Sequence, residues 1–250
     1  MELDFTFFAV AIPAVLFAGI SKGGFGSGGA FAATPLLALI LHPGEAIGVM
    51  LPLLMLMDIS ALRPYWKQWD GPAAKALIIG GVPGVAIGAL LYGAINPDMF
   101  RILIGLVAIG FVIFQVGRAR GWIKPAKQAM SDRAGQVFGA IAGLTSFISH
   151  AGGPPAAIYL LSKPIDKRCY QATAVITFWA INIAKFLPYA LLGIFTAQTL
   201  LADIYLFPFA IIGTYLGVYL HRIVPERLFF GLVYVFLTIT GTKLIFDALT

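Results

Sequence analysis

The chain has little charge and almost no cysteine. Asp, Glu, Lys and Arg together make up 11% of its 250 residues, against about 25% in an average soluble domain. A soluble globule of this size would lack the polar surface to face water, so a soluble enzyme, a disordered chain and a coiled coil are excluded. The single cysteine, Cys169, rules out an internal disulfide and any cysteine-based metal cluster. There is no H-E-x-x-H, no G-x-S-x-G and no pair of carboxylates at useful spacing. Ser149 and His150 are adjacent in sequence, which is poor geometry for a nucleophile and its base. No enzyme activity, cofactor, metal or nucleic-acid partner is therefore expected. The opening Met1-Glu2-Leu3-Asp4 lacks a basic region, so the first apolar segment is expected to be retained rather than cleaved.

What the chain has instead is apolar residues, at 60%, with a mean hydropathy of +0.91. A membrane span needs about 20 such residues. The composition points to an all-α polytopic membrane protein. Ten apolar segments are predicted: 3–20, 28–41, 47–62, 73–95, 100–117, 136–148, 154–161, 170–192, 200–220 and 228–246. The polar stretch between the fifth and sixth divides the chain into 1–118, a linker at 119–133 and 134–250. In a membrane protein the net charge of +6 reports topology first. With the N-terminus outside, the cytoplasmic loops collect thirteen of the seventeen basic residues. These are Arg63, Lys67 and Lys75; Arg118, Arg120, Lys124, Lys127 and Arg133; Lys163, Lys167 and Arg168; and Arg222 and Arg227. Both termini are expected on the periplasmic side of a bacterial inner membrane, with the loops near Glu45, Asp98 and Asp203 on that same side.

The two halves repeat. Ala18-Gly19-Ile20-Ser21 aligns with Ala142-Gly143-Leu144-Thr145, Gly28-Gly29 with Gly152-Gly153 and Leu36-Leu37 with Leu160-Leu161, an offset of 124 positions. The same offset puts Asp58 on Asn182 and Pro64 on Pro188. Further on, Gly84 and Gly88 match Gly213 and Gly217, which read as helix-packing notches. Each half has an odd number of crossings, so the second is inserted upside down. Inverted repeats of this kind point to a transporter with a midplane site.

The second hairpin of segments, 136–161, is too short to cross twice. It is read as re-entrant, and the first two segments of the other half as a similar broken pair. Their breaks are Ser21-Lys22-Gly23-Gly24-Phe25-Gly26-Ser27-Gly28-Gly29 and Ser149-His150-Ala151-Gly152-Gly153-Pro154-Pro155. Glycine permits unwound backbone and close approach of a ligand, and proline suits a first helical turn. Irregular backbone at membrane depth survives only against protein or a water-filled cavity. A helix starting there aims free N–H groups and its positive dipole end at that cavity. Lys22 adds a cation, and His150 a titratable ring, where charge is costly and functional by default. The breaks therefore form a candidate site for a small anion: Lys22, Gly23, Gly24, Ser27, Gly28 and Gly29 with Ser149, His150, Gly152 and Gly153. Asp58, Asn182 and Lys185 are expected behind them as a further layer or as coupling residues. Asn182 and Lys185 share one helix face, and Asp58 is a candidate partner for Lys185. Gly24-x-Gly26-x-x-Gly29 followed by Glu45 imitates a dinucleotide fingerprint, but that reading needs a βαβ unit.

The run from Gly19 to Gly29 followed by Pro35-Leu36-Leu37, with its degenerate copy from Gly143 to Leu161, resembles the TauE/SafE family of sulfite and organosulfonate exporters. The likeness covers the whole chain as a two-fold repeat. It implies secondary transport of a small sulfur-containing or carboxylate anion across the bacterial inner membrane, mostly outward, by alternating access. Sulfite and sulfoacetate are the substrates it suggests. An uptake carrier for another small anion, or a non-transporting membrane scaffold, are the alternatives, and a homodimer is compatible with either.

Overall fold

The computed structural model describes residues 1–25, 29–62, 65–123, 128–220 and 223–250. Gly26, Ser27, Gly28, Arg63, Pro64, Lys124, Lys127, His221 and Arg222 thus lie outside the described residues. All regular structure among the described residues is helical. The ten helices are α1 (Phe5–Ile20), α2 (Ala33–Ala38), α3 (Pro43–Leu62), α4 (Gly71–Ala94), α5 (Pro97–Ala119), α6 (Asp132–Ser149), α7 (Gly153–Leu160), α8 (Lys167–Leu191), α9 (Ala197–Leu220) and α10 (Glu226–Leu249). They follow the ten apolar runs of the sequence. Asp4, Asp70, Asn96, Ser131 and Asp166 cap helix starts, each side chain accepting a backbone N–H two or three residues into the helix. Asp203 does not lie in a loop: α9 begins at Ala197, and the carboxylate is buried six residues in.

Seven helical stretches among the described residues are long and apolar enough to cross a membrane: 5–25, 43–62, 71–94, 97–119, 167–191, 197–220 and 227–249. The first does not act alone. The amino terminus pairs with Glu45 at the start of α3, 2.9 Å away, so α1 and α2 form a hairpin that returns to its own face. The second hairpin closes the same way. Lys163, just past α7, donates to Met130 O at 2.8 Å and lies 3.7 Å from Asp132. We call these the terminal face and the linker face. His42, Gly48 and Ile194 belong to the terminal face, and Asp70, bonded through its amide to Thr173 at 2.9 Å, to the linker face.

The hairpins are held by helices from the other half of the chain. α1 packs along α9, and α6 along α4, while α5 lies on α10 and α3 on both α8 and α9. Lipid supplies no hydrophobic drive for such contacts, so close van der Waals approach has to hold them. Glycine makes the approach close. A Cβ on Gly213 would stand 2.6 Å from Leu16 O, and one on Gly88 2.6 Å from Phe147 Cβ. On Gly84 it would collide with Ala140 O, on Gly217 with Ile20 O, and on Gly143 with Gly81 O. Three of the notches read from the sequence, Gly84, Gly213 and Gly217, are therefore backbone-to-backbone crossings, and Gly88 makes room for the Phe147 ring.

Gly84→Ala and Gly213→Ala should each lower stability by about 1–3 kcal/mol, because α4 and α6, or α1 and α9, must separate. Gly110→Ala and Gly231→Ala, whose added methyl meets nothing within 4 Å, should be neutral or stabilising by up to about 1 kcal/mol. Thermal unfolding in detergent would rank the four.

Candidate functional site

The first break is only partly unwound. After Ile20 the chain widens into a π-helical turn, Ser21–Phe25, a local geometry that often marks functional positions. Gly23 lies there against the backbone of Thr214, and Gly29 closes the break by donating its amide to Ser21 Oγ at 3.1 Å. A short 3₁₀ turn, Ala30–Ala32, then leads into α2. In the second break α6 ends on His150, held in the left-handed region at φ 57° and ψ 18°. Its amide and that of Ala151 bond back to Ser146 O and Thr145 O, at 2.9 and 3.2 Å, the pattern that usually places glycine here. A non-glycine residue in this conformation costs about 1–2 kcal/mol, so the imidazole must be worth keeping. Ser149 is fully buried, and its hydroxyl has no partner among the described residues.

The ring is fixed from two sides. Lys185 Nζ donates to His150 Nδ1 at 2.7 Å, and Nε2 then carries the ring proton and donates to Ile47 O at 3.1 Å. Lys185 also donates to Ser146 O and Ser146 Oγ, at 3.1 and 3.0 Å. Its nitrogen is thereby held by three partners, and it is 0% exposed. It does not snorkel. Nor does it pair with Asp58, the partner that the repeat had suggested. Asp58, 2% exposed, takes Lys22 on one oxygen and Asn182 Nδ2 on the other, the latter at 2.7 Å. Lys22 also donates to Leu54 O at 3.3 Å. The reason is reach: the π turn delivers Lys22 to the α3 face that carries Leu54 and Asp58, whereas α6 occupies the space beside Lys185.

These groups converge on one small pocket. It is lined by Lys22, Leu54, Ala30 and Phe31 from the first half, and by Ser146, His150, Gly153, Phe178 and Asn182 from the second. At about 20 Å³ it has room for roughly one water molecule. Two helix starts point into its lining, Ala30 and Gly153, and neither has a side-chain cap. Pro154 and Pro155 have no amide proton, so Gly152 and Gly153 are the donors that remain at the start of α7. Of the expected site residues, Lys22, His150, Gly153 and Asn182 line this pocket. Asp58 and Lys185 stand directly behind, Gly23, Gly29 and Gly152 shape the breaks around it, Gly24 lies in the π turn, and Ser27 and Gly28 lie outside the described residues. Ser146 and Leu54 were missed by sequence reasoning. Their signal was present in the repeat: Lys22 and Ser146, Leu54 and Phe178, and Asp58 and Asn182 are each 124 positions apart.

Within the pocket wall the two lysines are held differently. Lys22 is paired with Asp58, whereas Lys185 meets Ser146 and His150 and, among the described residues, no carboxylate. Removing one partner of a buried pair costs about 3–5 kcal/mol, whereas removing both can be neutral. Asp58→Asn should therefore lower the melting temperature sharply, and Lys22→Met combined with Asp58→Asn should recover most of the loss. Thermal unfolding of the three proteins in detergent checks this.

A family model for the sulfite exporter TauE/SafE matches residues 11–244. The probable membrane transporter protein YjnA of Bacillus subtilis (strain 168) is 30% identical over 256 aligned positions, which cover 92% of this chain and 96% of that protein. No solved structure matched. A match of this extent, on a helical chain whose matched span includes both breaks and every residue of the pocket, places the protein in the TauE/SafE family of membrane transporters.

Proposed function

We propose that the protein is a secondary transporter that exports sulfite or a small organosulfonate such as sulfoacetate across the bacterial inner membrane, with both termini periplasmic. The observation that carries this reading is the convergence of Lys22, His150 and two uncapped helix starts on one buried pocket. Hydrogen-bond donors gather there where water is scarce, and a buried donor left unmatched is costly. A small oxyanion supplies the missing acceptors. Lys22 would meet it directly, the uncapped starts at Ala30 and Gly153 would donate to its oxygens, and His150 would hydrogen-bond to it or carry a proton.

The pairing of elements supports an inverted repeat. α1 on α9 corresponds to α6 on α4, and the bond between Asp58 and Asn182 joins equivalent residues across the pseudo-axis. Asp58 is fifteen residues from the start of α3 at the terminal face, and Asn182 fifteen from the start of α8 at the linker face. Each is about 22 Å along its helix, the matching register expected of two inverted copies. Alternating access would then move one pair of hairpin and supporting helix against the other. On this reading the chain does no covalent chemistry.

Proteoliposomes loaded with sulfite, sulfoacetate or sulfate test the proposal. Wild-type protein should move the first two faster than sulfate. Lys22→Met/Asp58→Asn, which keeps the charge balance of the fold, should reduce transport by two orders of magnitude or more. Wild-type transport rates by that variant would remove Lys22 from the mechanism.

A further inference from the structure

A second, larger cavity lies on the linker side of the pocket. It measures about 150 Å³ and touches the inner pocket through Gly153, which lines both. Its wall is built from the linker-side ends of three long helices: Gln115 and Arg118 at the end of α5, Tyr170 and Gln171 at the start of α8, and Phe230 at the start of α10. Phe25, at the tip of the first hairpin, completes it. A cavity of this volume can hold a molecule about the size of benzene, whereas the inner pocket cannot. It is also polar, offering two amides, a phenol and a guanidinium. Arg118 is its cation, and among the described residues no carboxylate pairs with it. Its guanidinium lies over the Phe114 ring, 5.9 Å from the centroid, and its planar fork of donors suits a carboxylate or sulfonate.

The two spaces are divided by aromatic rings. Phe31 lines the inner pocket and Phe111 the outer cavity, and the rings meet edge to face at 4.5 Å. Behind them Phe25 stacks on Phe229 at 4.0 Å and 5°. An anion of sulfonate size can thus rest beside Arg118 while the route inward is shut.

We propose that this cavity is a second anion site, in which Arg118 captures a small carboxylate or sulfonate from the linker face before the aromatic partition opens. This rests on the transporter reading above and adds a loading step to it. The site gives the carrier a low-charge waiting position outside the costly interior. It also predicts an asymmetry, because the terminal face has no share in it.

Two measurements test it. In detergent, Lys22→Met/Asp58→Asn should still bind radiolabelled sulfoacetate, and adding Arg118→Gln should abolish that binding while Arg118→Lys retains most of it. In vesicles of phosphatidylcholine, which offer no anionic headgroup, Arg118→Gln should raise KM about tenfold or more for sulfoacetate presented at the linker face. Maximal rate, and KM at the terminal face, should not change. Unaltered binding after Arg118→Gln, or an equal loss of rate from both faces, would overturn the loading site. If wild-type protein binds sulfoacetate through Arg118 yet transports none, the export reading fails while the site stands.

Discussion

Asp58 joins the parts of this molecule that the sequence keeps far apart. One carboxylate oxygen accepts from Lys22 on the π turn, and the other from Asn182 on α8. The residue therefore fixes the tip of the first hairpin, the later turns of α3 and the second half of α8 in one arrangement, buried from solvent. Charge-assisted hydrogen bonds are roughly twice as strong as neutral ones, and in a medium that offers no other partner they are hard to exchange. The same bonds would resist opening, so a carrier built this way needs an incoming anion to relax them.

The hairpins supply the second constraint. Backbone interrupted inside a membrane must have its polar groups satisfied by protein or by an enclosed cavity. Here α9 and α4 cover α1 and α6 closely enough that glycine is needed on both sides of each crossing. The tips then reach across to the other half. His150 bonds to Ile47, the fifth residue of α3, and Phe25 shares a cavity with Gln171, the fifth residue of α8. Each break thus lies against the start of a long helix from the opposite half, and what is left unpaired, such as the start of α7, faces a pocket rather than lipid.

Much of this was legible in the sequence because it follows from composition. Long apolar runs mark the seven stretches of membrane-spanning length and shorter ones the arms of the hairpins, and the offset of 124 positions equates Asp58 with Asn182. The packing of Gly84, Gly88, Gly213 and Gly217 followed from their four-residue spacing. The pairing of charges was not legible in this way. A helix face says which residues point together, but not which neighbour they meet, so Asp58 was matched with Lys185 when a π turn brings Lys22 to it. Asp203 fell within the predicted segment 200–220, but nothing marked it as buried with both oxygens lacking a partner among the described residues. Arg118 was read as a topogenic charge, and its place in a cavity depends on three helix ends from separate parts of the chain.

The two spaces differ in what they ask of a ligand. The outer cavity is roomier and carries the Arg118 guanidinium, with which no carboxylate among the described residues pairs, so on the proposed reading it accepts a small anion of suitable size. The inner pocket is nearly closed, with Lys22 already engaged by Asp58 and Leu54, and Lys185 by Ser146 and His150. Entry there must enlarge the pocket and trade existing hydrogen bonds for new ones. Only a ligand whose oxygens replace those bonds in number can do so without loss, because a buried donor left unmatched costs more than the average bond returns. On the proposed reading, capture at Arg118 selects for charge and size, while the inner pocket selects for the count and placement of oxygen atoms. A tetrahedral or pyramidal oxyanion fits the second requirement better than a halide, whose single atom cannot satisfy donors that approach from Lys22, the start of α7 and the turn before α2 at once.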